Sequence, residues 1–574
     1  MIFIGCGMML QILSGKFFNE NIEIKEITDK DILYSNIKIF GVIKTELWSF
    51  ESINITQNIS SYMLTLNGKD LKSTSPIYYP EASNEFRLLT SFWFKAIFDY
   101  DKNTLETLCR TMPQNQNDNQ IPSKILPEYF SLERVTQDIE NFKNFINKVL
   151  KLPREKYKAI LTSIDLFFQS LNAVNYNLEL AFSLMVFSIE SLCQKFDNFE
   201  ENWGDYDYRI KNELDKIITD YSVSSEDYDN LKEVLLKNDH QKSLKRFVNF
   251  CMKHVADDFF KQDAENSKNP LKKSELKHVL KNCYDIRSNY VHSLEKIDKL
   301  NYIISMMGNK ETLCNENDIF LTFSGLTRLV HHILKNFIFS SEETGFEKIN
   351  FSEEMPNLAN APLSPEYWIT NENLIQPTDI YTYFHYFLIM LLKPHNKKNF
   401  LEFKGLMNKL ESNLKGGIKK EFKKANIIFY YLCNKLYDEK GITTKFTEIC
   451  EEYNIPEILN KLRIESLISK MILGEEINWD LEEIIECYNN YVEHKFRKNQ
   501  LALNDFHECC IIIYICKSYY INEQYLEYKN WMEKLILELP GKVNCQRYAE
   551  KCISENKEIT FEEFKKEFFN TESD

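Results

Sequence analysis

The stretch KNCYDIRSNYVHSLE, Lys281 to Glu295, decides how the rest of the chain is interpreted. Within it and just before it, apolar residues recur at spacings of three and four, the period of one helix face. These positions are Leu276, Val279, Leu280, Cys283, Tyr290, Val291 and Leu294. Asn269-Pro270 marks a helix start, and Ser274 is a candidate N-cap. The sequence therefore predicts a helix that buries this face.

Two polar residues interrupt that pattern. Arg287 falls on the apolar stripe, where a guanidinium is costly unless it is paired or lines a polar cavity. His292 follows five residues later, about 140° further round a helix that turns ~100° per residue. A straight helix cannot aim both side chains at one atom. Three solutions remain open: a break near Ser288-Asn289, an arginine that reaches round the helix, or a second copy of the segment.

An arginine and a histidine in one short segment suit chemistry on phosphodiesters. Histidine, with an unperturbed pKa near ~6.5, transfers protons around neutral pH. Arginine can hold a phosphate and offset the charge that develops in the transition state. A phosphodiester that carries its own nucleophile needs few residues besides these. No carboxylate or His/Cys cluster accompanies the pair, and we therefore expect no metal and no other cofactor.

The motif YDIRSNYVH, Tyr284 to His292, resembles the R-x4-H motif of the HEPN ribonucleases, specifically the Apea-like HEPN group. FSIESLCQKF, Phe187 to Phe196, is similar to the helix with a Leu-Glu-x-Leu core that precedes the motif in that group. The resemblance covers about residues 150–340 and neither flank. The chain departs from the commoner family form at Ser288, where many members carry Asn, Asp or His. Asn289 stands one place later, so the third polar role is open between the two.

The resemblance implies a metal-independent endoribonuclease that cleaves RNA through the 2′-hydroxyl. Arg287 and His292 would be its catalytic residues, with Ser288 and Asn289 orienting the phosphate or the histidine. In HEPN ribonucleases the active cleft forms where two such domains meet, so a homodimer through this domain is implied. Many proteins with this domain are phage-defence or abortive-infection effectors, and that is the biology we expect.

A second buried position carries charge. The segment LELAFSLMVFSIESLC, Leu178 to Cys193, is apolar nearly all round and is predicted to be the central buried helix. Glu190 lies inside it, and a buried carboxylate needs a cationic or hydrogen-bonding partner. In the resembled fold this helix packs against the motif helix, so we predict that Glu190 pairs with Arg287. The alternative is that Glu190 marks the solvent edge of the helix.

Composition predicts a mainly α protein of several domains. The chain has 574 residues, enough for three or four domains, and only 15 Gly and 14 Pro, which indicates long helices with few turns. Its 14 Cys form no CxxC pair, which fits free thiols in a reducing compartment. No run reaches the ~18 apolar residues of a membrane span, and the first residues lack a basic region like that of a signal peptide. We expect a cytoplasmic protein without membrane contact.

Charge is unevenly distributed. The formal net charge of −15 argues against a general polyanion binder. From Leu231 to Leu300, however, about 15 Lys and Arg stand against about 10 Asp and Glu, so this segment is near +5. An RNA footprint and a solvated face with scattered lysines are both compatible with this excess.

Residues 1–122 are predicted to form a β-rich domain. The stretches NIKIFGVIKTELWSF, SSYMLTLNG and SFWFKAIFDY mix β-branched and aromatic residues with partial alternation. Asn67-Gly68 reads as a turn between strands, and MIFIGCGMMLQIL reads as a strand or core segment. The polar run Gln114 to Gln120 reads as a linker or exposed loop. A sensing module and a packing domain remain equal alternatives for this part.

Residues 123–344 are predicted to form the HEPN-like helical bundle. A clean helical stripe consists of Tyr157, Ile160, Leu161, Ile164, Phe167, Phe168 and Leu171. Further helices are predicted over Ser224–Leu236, Gln241–Phe260 and Gly325–Phe339. The last carries Arg328, His331 and His332, whose spacing is too short for R-x4-H. We therefore predict structural roles for these two histidines.

Residues 345–378 contain four prolines and are predicted to be a linker. Beyond it, residues 379–574 show amphipathic segments in pairs, with aromatic and small residues on facing sides. This pattern is typical of a tetratricopeptide-like α-solenoid, although no strict ~34-residue period shows. Such an array offers a concave surface, so a protein or nucleic-acid trigger could bind this domain or the N-terminal one.

Two other functions stay open. The HEPN-like bundle could be inactive and serve as a nucleotide-binding or dimerising scaffold, with the helical repeats binding a partner. Alternatively, the chain could be a sensor whose N-terminal domain recognises a protein or a nucleic acid. Cleavage of RNA in the presence of EDTA would separate the enzyme from both.

Overall fold

The protein divides into two compact units, Met1–Asn360 and Ala361–Asp574, in a computed structural model. It is mainly helical, with a small antiparallel sheet near the N-terminus. The predicted linker, 345–378, contains the division between the units. The structure describes residues 8–19, 22–72, 79–109, 125–132, 134–174, 176–197, 211–214, 216, 230, 239–265, 267–297, 310–315, 318–354, 377–392, 403–415, 419–437 and 444–569.

The strands among the described residues lie in the first unit. They are β1 (Ile24–Ser35), β2 (Ile37–Lys38), β3 (Val42–Lys44), β4 (Trp48–Asn54), β5 (Ser60–Leu71), β6 (Phe98–Asp99), β7 (Arg134–Val135), β8 (Thr312–Asn315) and β9 (Asp318–Leu321). Five of them form an antiparallel sheet of order β3-β4-β5-β1-β6. β2 pairs with β7 in parallel, and β8 pairs with β9 as an antiparallel ladder.

The helices of the first unit surround one hydrophobic core that also includes the sheet. They are α1 (Leu10–Leu13), α2 (Tyr79–Phe94), α3 (Lys102–Leu108), α4 (Pro127–Phe130), α5 (Ile139–Leu150), α6 (Arg154–Ala173), α7 (Leu178–Phe196), α8 (Asp239–His254), α9 (Leu276–Ser293), α10 (Phe323–Ser340) and α11 (Phe351–Glu354). α2 connects sheet and bundle, since Phe86 contacts Trp48 at 4.9 Å between ring centroids and Phe92 contacts Phe167 at 5.9 Å. The expected domain boundary at residue 122 lies outside the described residues, and the parts on either side of it share this core.

Two local predictions for the N-terminal part are wrong. The stretch SFWFKAIFDY is not a strand, because Ser91 to Phe94 form the end of α2 and only Phe98-Asp99 join the sheet. Its residues are buried or half-buried almost throughout, and a short apolar run without a period does not distinguish helix from strand.

The second wrong prediction is the turn at Asn67-Gly68. Both residues lie inside β5, where Asn67 is opposite Thr28 and Gly68 is opposite Ile27. A Cβ atom on Gly68 would approach the Cβ atom of Leu13 to 2.9 Å. The glycine is therefore required by the close packing of α1 on the strand. The start of the chain is a core segment from Met9 onward, as predicted, and it is helical.

The bundle is organised around α7, which packs against α6, α8, α9 and α10. Asn177 caps its N-terminus by accepting a hydrogen bond from Leu180 N at 2.8 Å. The predicted helix Gln241–Phe260 ends earlier, at His254, and a 3-10 turn follows over Asp257–Phe260. The predicted helix Ser224–Leu236 and the run Gln114 to Gln120 lie outside the described residues.

The second unit is helical in all its described parts. Its helices are α12 (Ile380–Leu392), α13 (Phe403–Lys415), α14 (Lys420–Tyr437), α15 (Thr444–Glu452), α16 (Ile455–Leu459), α17 (Ile464–Leu473), α18 (Leu481–His494), α19 (Asp505–Ile521), α20 (Tyr525–Leu537), α21 (Val543–Ser554) and α22 (Phe561–Phe569). From α17 to α22, each helix packs against the next one in sequence. No helix in the described residues is both long enough and apolar enough to cross a membrane.

Candidate functional site

The motif lies on an uninterrupted helix. α9 continues from Leu276 through Ser293 and ends at Leu294, whose backbone is left-handed with φ 54°. The N-cap position is Glu275 and not Ser274, and no side chain caps the helix there. Because the helix has no break near Ser288-Asn289, one of the three solutions to the angular problem is excluded.

The apolar stripe of α9 is buried only in its first turns. The buried residues are Leu276, Val279, Leu280, Cys283 and Tyr284. Val291 and Leu294, which continue the stripe in sequence, are 44% and 73% exposed. The predicted core roles of these two residues are therefore wrong, because the C-terminal end of α9 reaches beyond the packed bundle. It presents apolar side chains to solvent.

The predicted pair of Arg287 and Glu190 is confirmed. Arg287 Nη2 donates a short hydrogen bond to Glu190 Oε2, which joins α9 to the central helix α7. Tyr284 Oη donates to the other carboxylate oxygen, Oε1, at 3.3 Å. The guanidinium carbon lies 4.5 Å from the ring centroid of Phe187 and 4.9 Å from that of Tyr284. One carboxylate and two aromatic rings thus fix the orientation of Arg287.

This arrangement balances the charge of Arg287 within the chain. The side chains of Arg287 and Glu190 are 12% and 5% exposed, so water screens their attraction weakly. Burial and the charge of Glu190 raise the pKa of Tyr284. Among the described residues, none accepts a hydrogen bond from the buried Nε of Arg287. A phosphate that binds Arg287 must therefore share it with Glu190 or displace that carboxylate.

His292 lies on a different face of α9. At ~100° per residue, Ser288 and Lys281 fall within about 40° of His292, while Arg287 is about 140° away. His292 and Asn289 are exposed, and Ser288 is half-buried. The structure thus brings Ser288 and His292 onto one face, at the i, i+4 spacing of helix neighbours. It does not bring Arg287 and His292 together on one face.

Sequence reasoning missed three aromatic or polar partners of the site. Phe187 and Tyr284 stand three residues before Glu190 and Arg287, which places each on the same helix face as the charge that it supports. That spacing is the signal that could have identified them. Tyr290 accepts a hydrogen bond from Asn177 Nδ2 at 3.2 Å, which joins the end of α9 to the start of α7.

A second arginine and histidine group lies on α10. Arg328 Nη2 donates to Glu311 Oε2 at 2.7 Å and Nη1 to the Phe259 carbonyl at 2.8 Å. His331 is buried against the Phe92 carbonyl, with 3.0 Å from Nε2 to the oxygen, and desolvation lowers its pKa well below the usual value. The predicted structural role of this histidine is consistent with these contacts.

His332 belongs to a group whose spacing could hold a metal ion. Its ligand atoms and those of Asp258 and Asp263 lie within 4.8 Å of one another. His332 Nδ1 donates to Asp263 at 2.8 Å, and Nε2 accepts from the backbone N–H of Ala256 at 3.2 Å and from Asn336 Nδ2 at 2.8 Å. Both ring nitrogens are therefore engaged, so a metal ion would have to break existing hydrogen bonds. The group serves instead to hold two 3-10 turns, Asp257–Phe260 and Gln262–Ala264, against α10.

Comparison with models of protein families, with curated proteins and with solved structures finds no match for this chain. The assignment of function therefore depends on the residues and their geometry.

Proposed function

We propose that the protein is a metal-independent endoribonuclease in which His292 transfers protons. The observation that carries this proposal is the contrast within α9. Its arginine is fixed by Glu190, Tyr284 and Phe187, while its histidine lies exposed at the end of the same rigid helix. A rigid support for an exposed imidazole is what acid–base catalysis at a bound phosphodiester requires.

The reaction needs only the substrate's own hydroxyl and an acid–base group. His292 takes the proton of the 2′-hydroxyl while O2′ attacks phosphorus, and the bond from phosphorus to O5′ breaks. The products are a 2′,3′-cyclic phosphate and a 5′-hydroxyl, which receives a proton from the acid form of a histidine. Such proton transfer contributes typically ~10² to 10⁴ in rate.

Arg287 and His292 can meet at one phosphate when two chains combine. A two-fold axis beside the end of α9 would bring the Arg287 of one copy near the His292 of the other. The exposed apolar side chains of Val291 and Leu294 suit such a contact. A charge introduced at Tyr284, within the motif, would disturb folding and not this contact, because Tyr284 is buried against Phe247 and Glu190. Leu294→Glu should instead lower cleavage in step with dissociation, measured by light scattering.

The flanking parts of the chain would control the nuclease. The paired helices of the second unit resemble a tetratricopeptide-like array, which would bind a protein or nucleic-acid trigger on its concave side. In this proposal the protein acts in phage defence, as an abortive-infection effector. In infected cells the trigger would then raise the rate of RNA cleavage above the basal rate of the purified protein.

A second candidate function has its own support. Because Glu190 already balances the charge of Arg287, the pair also fits a purely structural role in a scaffold that does not cut RNA. In that case the bundle would dimerise or bind a nucleotide, and the helical repeats would bind the partner.

One assay distinguishes the two functions. Purified protein is incubated with labelled single-stranded RNA in EDTA, beside His292→Ala and Arg287→Lys variants. If the protein is a nuclease, only the wild type of the three should cleave the RNA. His292→Ala lacks the imidazole, and the lysine of Arg287→Lys lacks the planar fork of arginine. Full activity in His292→Ala would contradict the site assignment. No cleavage by the wild-type dimer would favour the scaffold.

A further inference from the structure

A cavity of about 350 Å³ lies in the first unit, away from α9. Its walls come from α4, from α10, from Glu311 and from the segment that contains Asp263 and Ser267. The described residues that line it carry three carboxylates, four hydroxyls and one guanidinium. Small-molecule sites have volumes of about 300 to 1,000 Å³, so this cavity has the size of a site for a small ligand.

Two of the three carboxylates are neutralised by cations of the chain itself. Glu128 forms an ion pair with Lys95 at 2.5 Å. Glu311 accepts a hydrogen bond from Arg328 Nη2 at 2.7 Å, and both side chains are buried. These two pairs leave the cavity without a net charge from Glu128, Glu311 or Arg328.

The third carboxylate, that of Asp263, is held differently. It accepts a hydrogen bond from His332 Nδ1 at 2.8 Å, while His332 Nε2 accepts one from the N–H of Ala256, so the imidazole is uncharged in this arrangement. The hydrogen bond from His332 holds the pKa of Asp263 below its usual value, and the charges of Lys95 and Lys335 act more weakly in the same direction. Among the described residues, no lysine or arginine forms an ion pair with Asp263. One negative charge of the cavity is therefore unpaired, on a side chain that is 43% exposed.

The hydroxyl of Tyr129 gives a second, independent indication of a ligand. Tyr129 lines the cavity and is 1% exposed, and its hydroxyl has no hydrogen-bond partner among the described residues. Burial raises the pKa of Tyr129 well above its usual value, so the hydroxyl keeps its proton and can donate. A buried hydroxyl without a partner is costly and rare in folded proteins. The half-buried Ser267 and Ser324 add two further hydroxyls to the lining.

We propose that this cavity binds a small hydroxylated primary amine. Its ammonium group pairs with Asp263, and its hydroxyl groups form hydrogen bonds with Tyr129, Ser267 and Ser324. One ammonium group balances the one unpaired carboxylate, and a ligand hydroxyl supplies the partner that Tyr129 lacks. A ligand in this position contacts α4 and the bundle together, so its binding stabilises the junction between the N-terminal part and the bundle.

The test measures binding to the full-length protein by titration calorimetry and by the rise of Tm with ligand concentration. Glucosamine is the probe, glucose is the uncharged control with the same ring, and ethanolamine is a smaller probe of the same class. Asp263→Asn keeps an oxygen that accepts from His332 but removes the charge, so affinity for glucosamine should fall about 10- to 100-fold. Tyr129→Phe should lower it about 2- to 10-fold.

Each variant has a matched control. Asp258→Asn changes an exposed carboxylate in the neighbouring 3-10 turn, 3.8 Å from His332 but outside the lining of the cavity. Tyr488→Phe removes another buried hydroxyl without a described partner, in the second unit. Both controls should bind glucosamine like the wild type. Tyr129→Phe should leave the Tm of the free protein unchanged or raise it, since the hydroxyl that it removes is unpaired there.

The outcomes decide the inference without reference to RNA cleavage, so they are independent of the proposed nuclease. Binding of glucosamine but not of glucose, weakened by Asp263→Asn and Tyr129→Phe alone, would support the amine site. Equal binding of glucose and glucosamine would overturn it, because Asp263 would then contribute no charge recognition. Affinities in Asp263→Asn and Tyr129→Phe equal to those of their controls would also overturn it. So would the absence of binding by both glucosamine and ethanolamine.

Discussion

Two groups of arginine and histidine, one on α9 and one on α10, use the same residue types to different ends. Arg287 and Arg328 each pair with a buried carboxylate and each lie against an aromatic ring, at 4.5 Å from Phe187 and 3.7 Å from Phe259. Their histidines differ. His332 is buried with both ring nitrogens engaged, whereas His292 lies exposed at a helix end.

The difference shows that burial of the histidine, and not the arginine pair, distinguishes a structural clamp from a candidate site. His332 has both ring nitrogens engaged by neighbouring segments, so it serves as a fixed hydrogen-bonding group. His292 lies at the surface, where solvent reaches its imidazole. In both groups the arginine and its carboxylate hold two segments together.

The largest expected effect separates the two histidines by activity. His292→Ala should lower RNA cleavage by about 10² to 10⁴ if its imidazole transfers protons as proposed, and it should leave the melting temperature unchanged because the side chain lies outside the core. His332→Ala should lower the melting temperature while the folded fraction keeps its kcat. Single-turnover cleavage and calorimetry on both variants check this. An equal loss of RNA cleavage in His292→Ala and His332→Ala would contradict the distinction between the two histidines.

The next effect tests the carboxylate of the α10 group. Glu311→Ala leaves the guanidinium of Arg328 buried without its partner and removes the acceptor for Leu271 N, at 3.2 Å. Breaking a buried pair in this way costs about 3–5 kcal/mol. Urea unfolding of the variant and the wild type measures this loss in the free energy of unfolding. Glu311→Gln is the control, because it keeps an acceptor, and a loss equal to that of alanine would show that the hydrogen bonds contribute little.

A smaller loss is expected for the carboxylate of the α9 group. Glu190→Ala should destabilise the protein by less than Glu311→Ala, near the lower end of the about 3–5 kcal/mol for a broken buried pair, because the 12% exposed side chain of Arg287 is nearer to water. The same variant frees Arg287 to bind phosphate, so RNA affinity should rise. Parallel unfolding and binding measurements are needed. An unchanged free energy of unfolding would show that the pair of Glu190 and Arg287 does not stabilise the packing of α9.

The smallest effect concerns pH. Partial burial lowers the pKa of His254 from 6.5 to about 4. The unfolded chain therefore binds a proton at this residue below about pH 6.5, and the folded chain binds it only near pH 4. Stability from this group is present above pH 6.5 and is lost as pH falls towards 4. His254→Gln should flatten the fall of melting temperature over this window, and an identical slope would contradict the assignment.

The sequence predicted the parts of the site that follow from helical spacing. The 3.6-residue period located α9 and the nearly continuous apolar run located α7, while the cost of burying a lone charge, together with the helix packing that the resemblance implies, identified the pair of Glu190 and Arg287. Those inferences succeeded because they depend on neighbours within one helix and on one strong electrostatic rule.

What the sequence could not give depends on tertiary packing. Gly68 resembles a turn residue until the approach of Leu13 is known. Val291 and Leu294 fit the apolar stripe, but the end of α9 extends beyond the bundle, so their side chains are exposed. In each case the deciding neighbour is distant along the chain.

The left-handed backbone at Leu294 has a consequence for how this chain varies. A residue with a Cβ atom costs roughly 1–2 kcal/mol in that conformation, and glycine or asparagine would end the helix more cheaply. A leucine retained there, with its side chain in solvent, costs stability and contributes little to the interior of its own unit. Selection for folding alone would favour glycine at position 294, so a chain under no other constraint should lose this leucine in favour of glycine.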